Sequence, residues 1–270
     1  MIETAISELT DILNESPLSA IAVSGGVDSM TLATFAGRIS KNKIEVFHAL
    51  SPAVPHDATA RVRHFAQKEN WQLYEINAGE FEDPNYRENP VNRCYYCKMN
   101  LYKAISKHTE NVIFSGTNLD DLNDYRPGLE AARDHGVRHP FIEAGIEKDS
   151  VRSIANYLDL KSLAELPASP CLSSRIETGL RIESDQLTLI DAIEKFVINR
   201  LNAYTVRCRF RKKEIVIELG TKDLELLNDN TQNELRTVIS AMLEADEITK
   251  PLRFQPYKMG SAFLRRVKNG

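Results

Sequence analysis

Ser24-Gly25-Gly26-Val27-Asp28-Ser29 places two glycines, two hydroxyls and a carboxylate within six residues. Glycines let the main chain approach an anion closely, and a helix N-terminus turns unpaired N–H groups toward it. The hydroxyls of Ser24 and Ser29 add donors, so the hexapeptide has the makings of a phosphate cradle. It lacks the lysine of a Walker A loop, which fits cleavage between the α- and β-phosphates better than γ-phosphoryl transfer. The plainer alternative is a tight strand-to-helix turn capped by Ser24 or Asp28. The complete hexapeptide between an apolar run and a helical pattern favours the phosphate loop over the bare turn.

The chain has four cysteines. Cys94 and Cys97 form a C-x-x-C, and Cys171 lies in Ala168-Ser169-Pro170-Cys171-Leu172-Ser173-Ser174-Arg175. A C-x-x-C by itself suits a redox pair, half of a zinc site or part of an iron–sulfur site. Three thiolates in one place would leave one iron of a 4Fe-4S cluster free to hold sulfide. Cys208 differs, because alternation along Thr205–Arg211 puts it on the face of Val206 and Phe210, as a buried structural thiol rather than a ligand. Were it a ligand, a four-cysteine zinc site would be the competing reading. The opposite face carries Arg207, Arg209 and Arg211, guanidinium groups suited to phosphate and carboxylate. If Lys212-Lys213 turns a hairpin, Arg207 stands opposite Glu218, and the strip would be no more than a surface cross-strand ion pair.

These residues need a scaffold. Ala20–Val23 reads as a strand ending at the glycine loop, and Met30, Ala33, Phe35 and Ala36 follow at helical spacing. Further strands are expected at Ile44–Leu50, Trp71–Ile76 and Val112–Ser115, with a helix carrying Ala58, Val62, Phe65 and Ala66 between the first two of these. Such alternation implies an α/β fold with a parallel sheet, whose ligand crevice lies at the carboxyl ends of the strands. Gly79 to Arg93 reads as a long loop leading into the C-x-x-C. Two prolines in Leu166–Cys171 interrupt regular structure, after which a helix (Ser184–Leu201), two strands, a helix and a terminal strand are expected. The boundary is set there, giving domains 1–166 and 167–270, the second a smaller α+β domain.

The formal charge is −4, from 34 basic and 38 acidic residues, so the whole surface exerts no pull on a polyanion and nucleic acid is not expected as a partner. Met1-Ile2-Glu3-Thr4 has no basic start or apolar stretch of a signal peptide, and no apolar run reaches membrane-helix length. The expected compartment is the cytoplasm, where cysteines serve catalysis, metal binding or packing more readily than disulfides.

The glycine hexapeptide resembles the signature of the PP-loop ATP-pyrophosphatases, which release pyrophosphate from ATP and leave AMP on a substrate. Ser115-Gly116-Thr117-Asn118-Leu119-Asp120-Asp121 matches the same superfamily's pattern at a strand end, implying that Gly116, Thr117, Asn118 and Asp121 lie near the nucleotide or its magnesium. Asn89–Lys98, Gly116–Asn118 through Asp124-Tyr125-Arg126-Pro127-Gly128, and Pro167–Arg175 together resemble the LarE family over most of the chain. That family converts the carboxylates of pyridinium-3,5-biscarboxylic acid mononucleotide into thiocarboxylates of the nickel-pincer nucleotide.

The resemblance implies ATP, Mg2+ and a small nucleotide substrate, with Ser24, Gly25, Gly26, Asp28, Ser29 and Arg126 among the nucleotide-binding residues. It implies a reacting centre at Cys171 with Ser174, Arg175, Arg207 and Arg209, and Glu218 as a metal ligand. Two sulfur sources are known in the family: the cysteine itself, or a 4Fe-4S cluster on three cysteines. Retention of the C-x-x-C favours the cluster, with Cys94, Cys97 and Cys171 as ligands, a sulfide donor as partner and a homo-oligomer as the assembly. A tRNA thiolase and an ammonia-dependent amide-forming synthetase of the same superfamily are the rival enzymes; a scaffold that holds ATP without turnover is the rival outside enzymes.

Overall fold

The computed structural model describes residues 2–16, 18–39, 43–123 and 127–263. The chain opens with α1 (Ile2–Asn14), β1 (Leu18–Val23), α2 (Val27–Ile39), β2 (Lys43–Ala49), α3 (His56–Lys68) and β3 (Gln72–Ile76). There follow α4 (Pro84–Arg87), α5 (Arg93–Ser106), β4 (Val112–Ser115), a 3-10 turn (Leu119–Asn123), α6 (Pro127–Asp134), α7 (Pro140–Glu143), α8 (Lys148–Tyr157) and α9 (Lys161–Ala164). A second 3-10 turn (Leu172–Arg175) precedes α10 (Ser184–Leu201), β5 (Val206–Phe210), β6 (Ile215–Leu219), α11 (Thr221–Glu225), α12 (Asp229–Ala245) and β7 (Leu252–Pro256). None of the described helices is long and apolar enough to cross a membrane.

The elements form two compact units, one of Met1–Asp83 with Asn92–Ser169, the other of Pro84–Val91 with Pro170–Gly270. The chain therefore passes between units at 83/84, 91/92 and 169/170, where the sequence suggested one passage at 166/167.

The first unit is α/β. Its four strands are all parallel in the order β3-β2-β1-β4. β1 is central and buried along nearly its whole length, as expected of a strand covered on both faces. Alternation sorts its side chains: Ile21 and Val23 join Met30, Phe35, Phe114 and Ile154 in one core, while Ala20 and Ala22 join Phe47, Tyr102, Ile105 and Ile113 in the other. The first three strands step outward in one direction and β4 returns to the opposite side of β1. In open α/β sheets such a reversal marks the place where ligands bind, here the carboxyl ends of β1 and β4 beyond Val23 and Ser115.

In the second unit β5 and β6 pair antiparallel and β7 joins β6 in parallel. Leu187, Ile190, Ile193 and Val197 of α10 and Leu235, Ile239 and Leu243 of α12 supply its apolar interior with the strands. The expected long loop at 79–93 is corrected: it contains α4, and its 84–91 portion is built into this unit. Tyr86 donates to or accepts from the Ser173 hydroxyl at 2.6 Å. Asn89, fully buried, gives its side-chain amide to the Glu177 carbonyl at 2.9 Å and accepts from the Gly179 amide at 2.9 Å. The Ile182 amide closes on the Arg87 carbonyl at 2.8 Å.

Candidate functional site

The glycine hexapeptide spans the end of β1 and the start of α2. Gly25 has φ +79, and a Cβ there would meet the Ala58 carbonyl oxygen at 2.6 Å. Gly116, at the end of β4, is equally confined: its Cβ would stand 2.6 Å from the Ser29 nitrogen. Both positions therefore require glycine for close approach of backbone to backbone, Gly25 for its φ as well. The Ser29 hydroxyl accepts from the Ser24 amide at 3.0 Å and lies 3.2 Å from the Ser24 hydroxyl, while the Ser24 hydroxyl accepts from the Gly26 amide at 3.4 Å. The Gly26 carbonyl accepts from the Met30 amide at 3.1 Å, which starts the helix.

Asp28 ties the loop to β4. It accepts from the Asn118 side-chain amide at 3.2 Å, and the Asn118 backbone amide donates to Asp121 at 3.1 Å. Thr117 lies on the same strand end, its hydroxyl 2.9 Å from that of Ser115. These contacts bring Ser24, Gly25, Gly26, Asp28 and Ser29 together with Gly116, Thr117, Asn118 and Asp121 at the carboxyl ends of β1 and β4. Arg126 lies outside the described residues.

Sequence reasoning missed Lys148, at the start of α8, whose ammonium bonds both oxygens of Asp28 at 2.7 and 2.5 Å. It reaches the loop across 120 residues of chain, and no local pattern marks it. His48 is also new: its ring nitrogens contact the Val23 carbonyl and the Thr59 hydroxyl, each at 2.9 Å. Burial lowers its pKa, against smaller opposing effects of the Val23 carbonyl and Glu75. His139, near Ser115 and Asp121, is likewise lowered chiefly by burial.

Cys94 and Cys97 sit in the first turn of α5, three residues apart on one face and half-buried. They belong to the first unit and Cys171 to the second. Among the described residues no group of three or more His, Cys, Asp or Glu side chains is placed to hold a metal ion. The arrangement gives the expected cluster no support.

Cys171, half-buried, precedes the 3-10 turn Leu172–Arg175. Its carbonyl accepts from the Ser174 amide at 2.9 Å and from Arg175 at 3.1 Å. Arg175 is engaged throughout: it grips Glu194 through Nε at 3.0 Å and Nη2 at 2.9 Å, and its Nη1 also donates to the Pro170 carbonyl and, at 3.0 Å, to the Ser174 hydroxyl. In this arrangement Arg175 fixes the turn that presents Cys171 instead of offering a free cation. Glu194 also accepts from the Cys208 amide at 2.8 Å, joining turn, α10 and β5.

The alternative of a surface arginine strip is corrected. β5 is buried on both faces, with Arg207 and Arg209 only 8% and 3% exposed and Tyr257 and Lys258, in the chain beyond β7, against them. Arg207 lies 5.8 Å over the Tyr257 ring, and its pKa is lowered first by burial and then by Arg175. The Arg207–Glu218 register holds, yet the ion partner of Glu218 is Arg209, at 2.8 Å. Arg209 also donates to the Ser174 carbonyl at 3.1 Å, linking β5 to the Cys171 turn. The other oxygen of Glu218 accepts from Arg211 at 3.3 Å, Gln255 at 3.1 Å and Ser261 at 2.5 Å. Both oxygens being taken, Glu218 acts here as counter-ion to the arginines, not as an open metal ligand. Cys208 is fully buried, and desolvation pushes its thiol pKa well up, as a structural thiol requires.

No family model matches the chain. An uncharacterized protein of Synechocystis sp. is 33% identical over 229 residues, which is 83% of this chain and 85% of that protein. An uncharacterized protein of Methanocaldococcus jannaschii is 28% identical over 78% of this chain and 81% of its own length. The pyridinium-3,5-bisthiocarboxylic acid mononucleotide synthase of Lactiplantibacillus plantarum is 26% identical over 243 residues, 87% of each chain.

Proposed function

We propose that the chain, similar to the uncharacterized Synechocystis protein and, at greater distance, to the L. plantarum synthase, is an ATP-dependent sulfur transferase of the LarE family acting on a pyridinium carboxylate mononucleotide. The observation that carries this reading is the glycine loop joined through Asp28 and Asn118 to the end of β4, at the one strand reversal of the parallel sheet. The loop amides and the Ser24 and Ser29 hydroxyls bind the phosphates. Asp28 and Asp121, on either side of Asn118, are the carboxylates that would hold Mg2+ together with phosphate oxygens, with Lys148 released from Asp28.

The substrate carboxylate attacks the α-phosphorus, pyrophosphate leaves, and an acyl-adenylate results. Sulfur then attacks the acyl carbon and AMP departs. Arg207 and Arg209 recognise the substrate's anionic groups, and Ser174 and Arg175 hold the turn of Cys171. If Cys171 is the donor, its thiolate attacks the acyl carbon as AMP leaves, and loss of its α-proton with cleavage of its Cβ–Sγ bond releases the thiocarboxylate and leaves dehydroalanine; if sulfide is the donor, Cys94, Cys97 and Cys171 would hold the cluster that supplies it, a reading that rests on the C-x-x-C alone.

The test is pyrophosphate release from ATP with pyridinium-3,5-biscarboxylic acid mononucleotide, with unmodified tRNA, and with neither. Release that depends on the mononucleotide is expected. Release with tRNA alone would replace this reading with a tRNA thiolase, and ATP binding without release would leave a nucleotide-holding protein. Iron and acid-labile sulfide, measured after anaerobic reconstitution of the parent and Cys94→Ala, separate the sulfur sources. Iron lost only in the variant supports the cluster, and a parent without iron leaves Cys171 as donor.

A further inference from the structure

The hexapeptide has no lysine of its own, but a second cation lies against it. Arg61, on α3, donates from Nη1 to the Gly25 carbonyl at 2.6 Å. The same stretch of α3 is fixed to the loop twice more: Ala58 fills the space beside Gly25, and Thr59 is joined through His48 to the Val23 carbonyl. Arg61 is thus held at the loop by its helix, not swung there by chance.

The guanidinium is half-buried, and among the described residues it forms no ion pair within 4 Å. Burial lowers its pKa, with exposed Asp57 exerting only a weaker opposing pull. A desolvated cation without a carboxylate is costly unless an anion meets it. Lys148 differs in this respect, being committed to both oxygens of Asp28. With one N–H on Gly25, the planar group retains a pair of donors matched to two phosphate oxygens.

We propose that Arg61 binds the β- and γ-phosphates of ATP, the pyrophosphate that leaves when the substrate is adenylylated. The proposal rests on the glycine loop being the ATP site. Negative charge gathers on the pyrophosphate as the α–β bridging bond breaks, and a fixed guanidinium beside it lowers the barrier to that step. The role needs no part of the sulfur chemistry.

The test is calorimetric binding of Mg·ATP, AMP and inorganic pyrophosphate to the full chain and to Arg61→Gln and Arg61→Lys, with thermal melting alongside. Arg61→Gln is expected to weaken ATP and pyrophosphate about 10- to 100-fold, as for loss of a charge-assisted hydrogen bond. AMP binding should stay within about twofold, and Arg61→Lys should recover part of the loss. Equal weakening of ATP and AMP in both variants would show that Arg61 merely props the Gly25 carbonyl, and unchanged ATP affinity would overturn the proposal as well. A parent chain that binds neither ATP nor AMP would instead overturn the reading of the loop as a nucleotide site.

Discussion

At Asp28 a carboxylate meets Lys148 and Asn118 at once, and at Arg175 a buried guanidinium meets Glu194. The two pairs have different consequences. Asp28 and Lys148 are about 30% exposed, so their ion pair adds little to stability and is free to rearrange when phosphate arrives. Arg175 and Glu194 are nearly sealed, and removing either would strand the other at a cost of about 3–5 kcal/mol.

His48 makes a third kind of residue, a neutral imidazole held between a carbonyl and a hydroxyl. Its folded pKa lies below the ordinary value of about 6.5, so as pH falls past that point the unfolded chain takes up a proton that the folded chain refuses. The stability it contributes is complete above about pH 6.5 and is lost as pH falls toward the folded pKa, by about 1.4 kcal/mol for each unit of depression. Melting temperatures between pH 7.5 and 5.5 should therefore decline, and less steeply in His48→Gln. His139 keeps part of the slope in that variant, because burial lowers it too. An identical slope in parent and variant would remove His48 from this account.

Elements bring these residues to their places by backbone approach as much as by side chains. Gly116 passes so close to the first turn of α2 that an added methyl would meet the Ser29 nitrogen, the Ser29 Cα and the Asp28 carbonyl carbon at 2.6 to 2.8 Å. All three are main-chain atoms that no rotamer can move aside. At Gly26 the nearest atom is the Ser24 hydroxyl, at 3.4 Å. Gly116→Ala is expected to destabilise by about 1–3 kcal/mol and Gly26→Ala by clearly less, as seen in chemical denaturation. Equal losses would mean that β4 does not press on α2.

The strands also show where periodicity misleads. Alternation along β5 separates Cys208 from the arginines correctly, yet both faces prove buried, because the chain after β7 covers the charged one. Likewise the stretch 79–93, which prolines and asparagines suggested to be loop throughout, contains the short helix α4.

For the whole molecule, the division into units does not follow the order of the chain. Residues 84–91 leave the α/β unit, complete the other with Tyr86 and Asn89 in its interior, and return. Asn89 occupies φ +52 while bonding the Glu177 carbonyl and the Gly179 amide, so alanine there would lose both the side-chain bond and a residue tolerant of that conformation. Asn89→Ala in the full chain is expected to cost about 1–3 kcal/mol, and to speed amide exchange at 176–182. Exchange in β1–β4 should be unchanged. Faster exchange in β1–β4 alone would assign the segment to the α/β unit instead.

The glycine loop, the alternation of strand and helix, the burial of Cys208 and the hairpin register of Arg207 against Glu218 were set by the sequence alone. Each depends on residues within a few positions of one another, where steric periodicity decides. Tertiary structure alone decided that Glu218 pairs with Arg209, that Lys148 and Arg61 meet the loop from 120 and 36 residues away, and that residues 84–91 belong with Cys171. Those choices depend on which elements pack together, since a charged side chain at a buried position takes whichever partner the packing brings within hydrogen-bond reach.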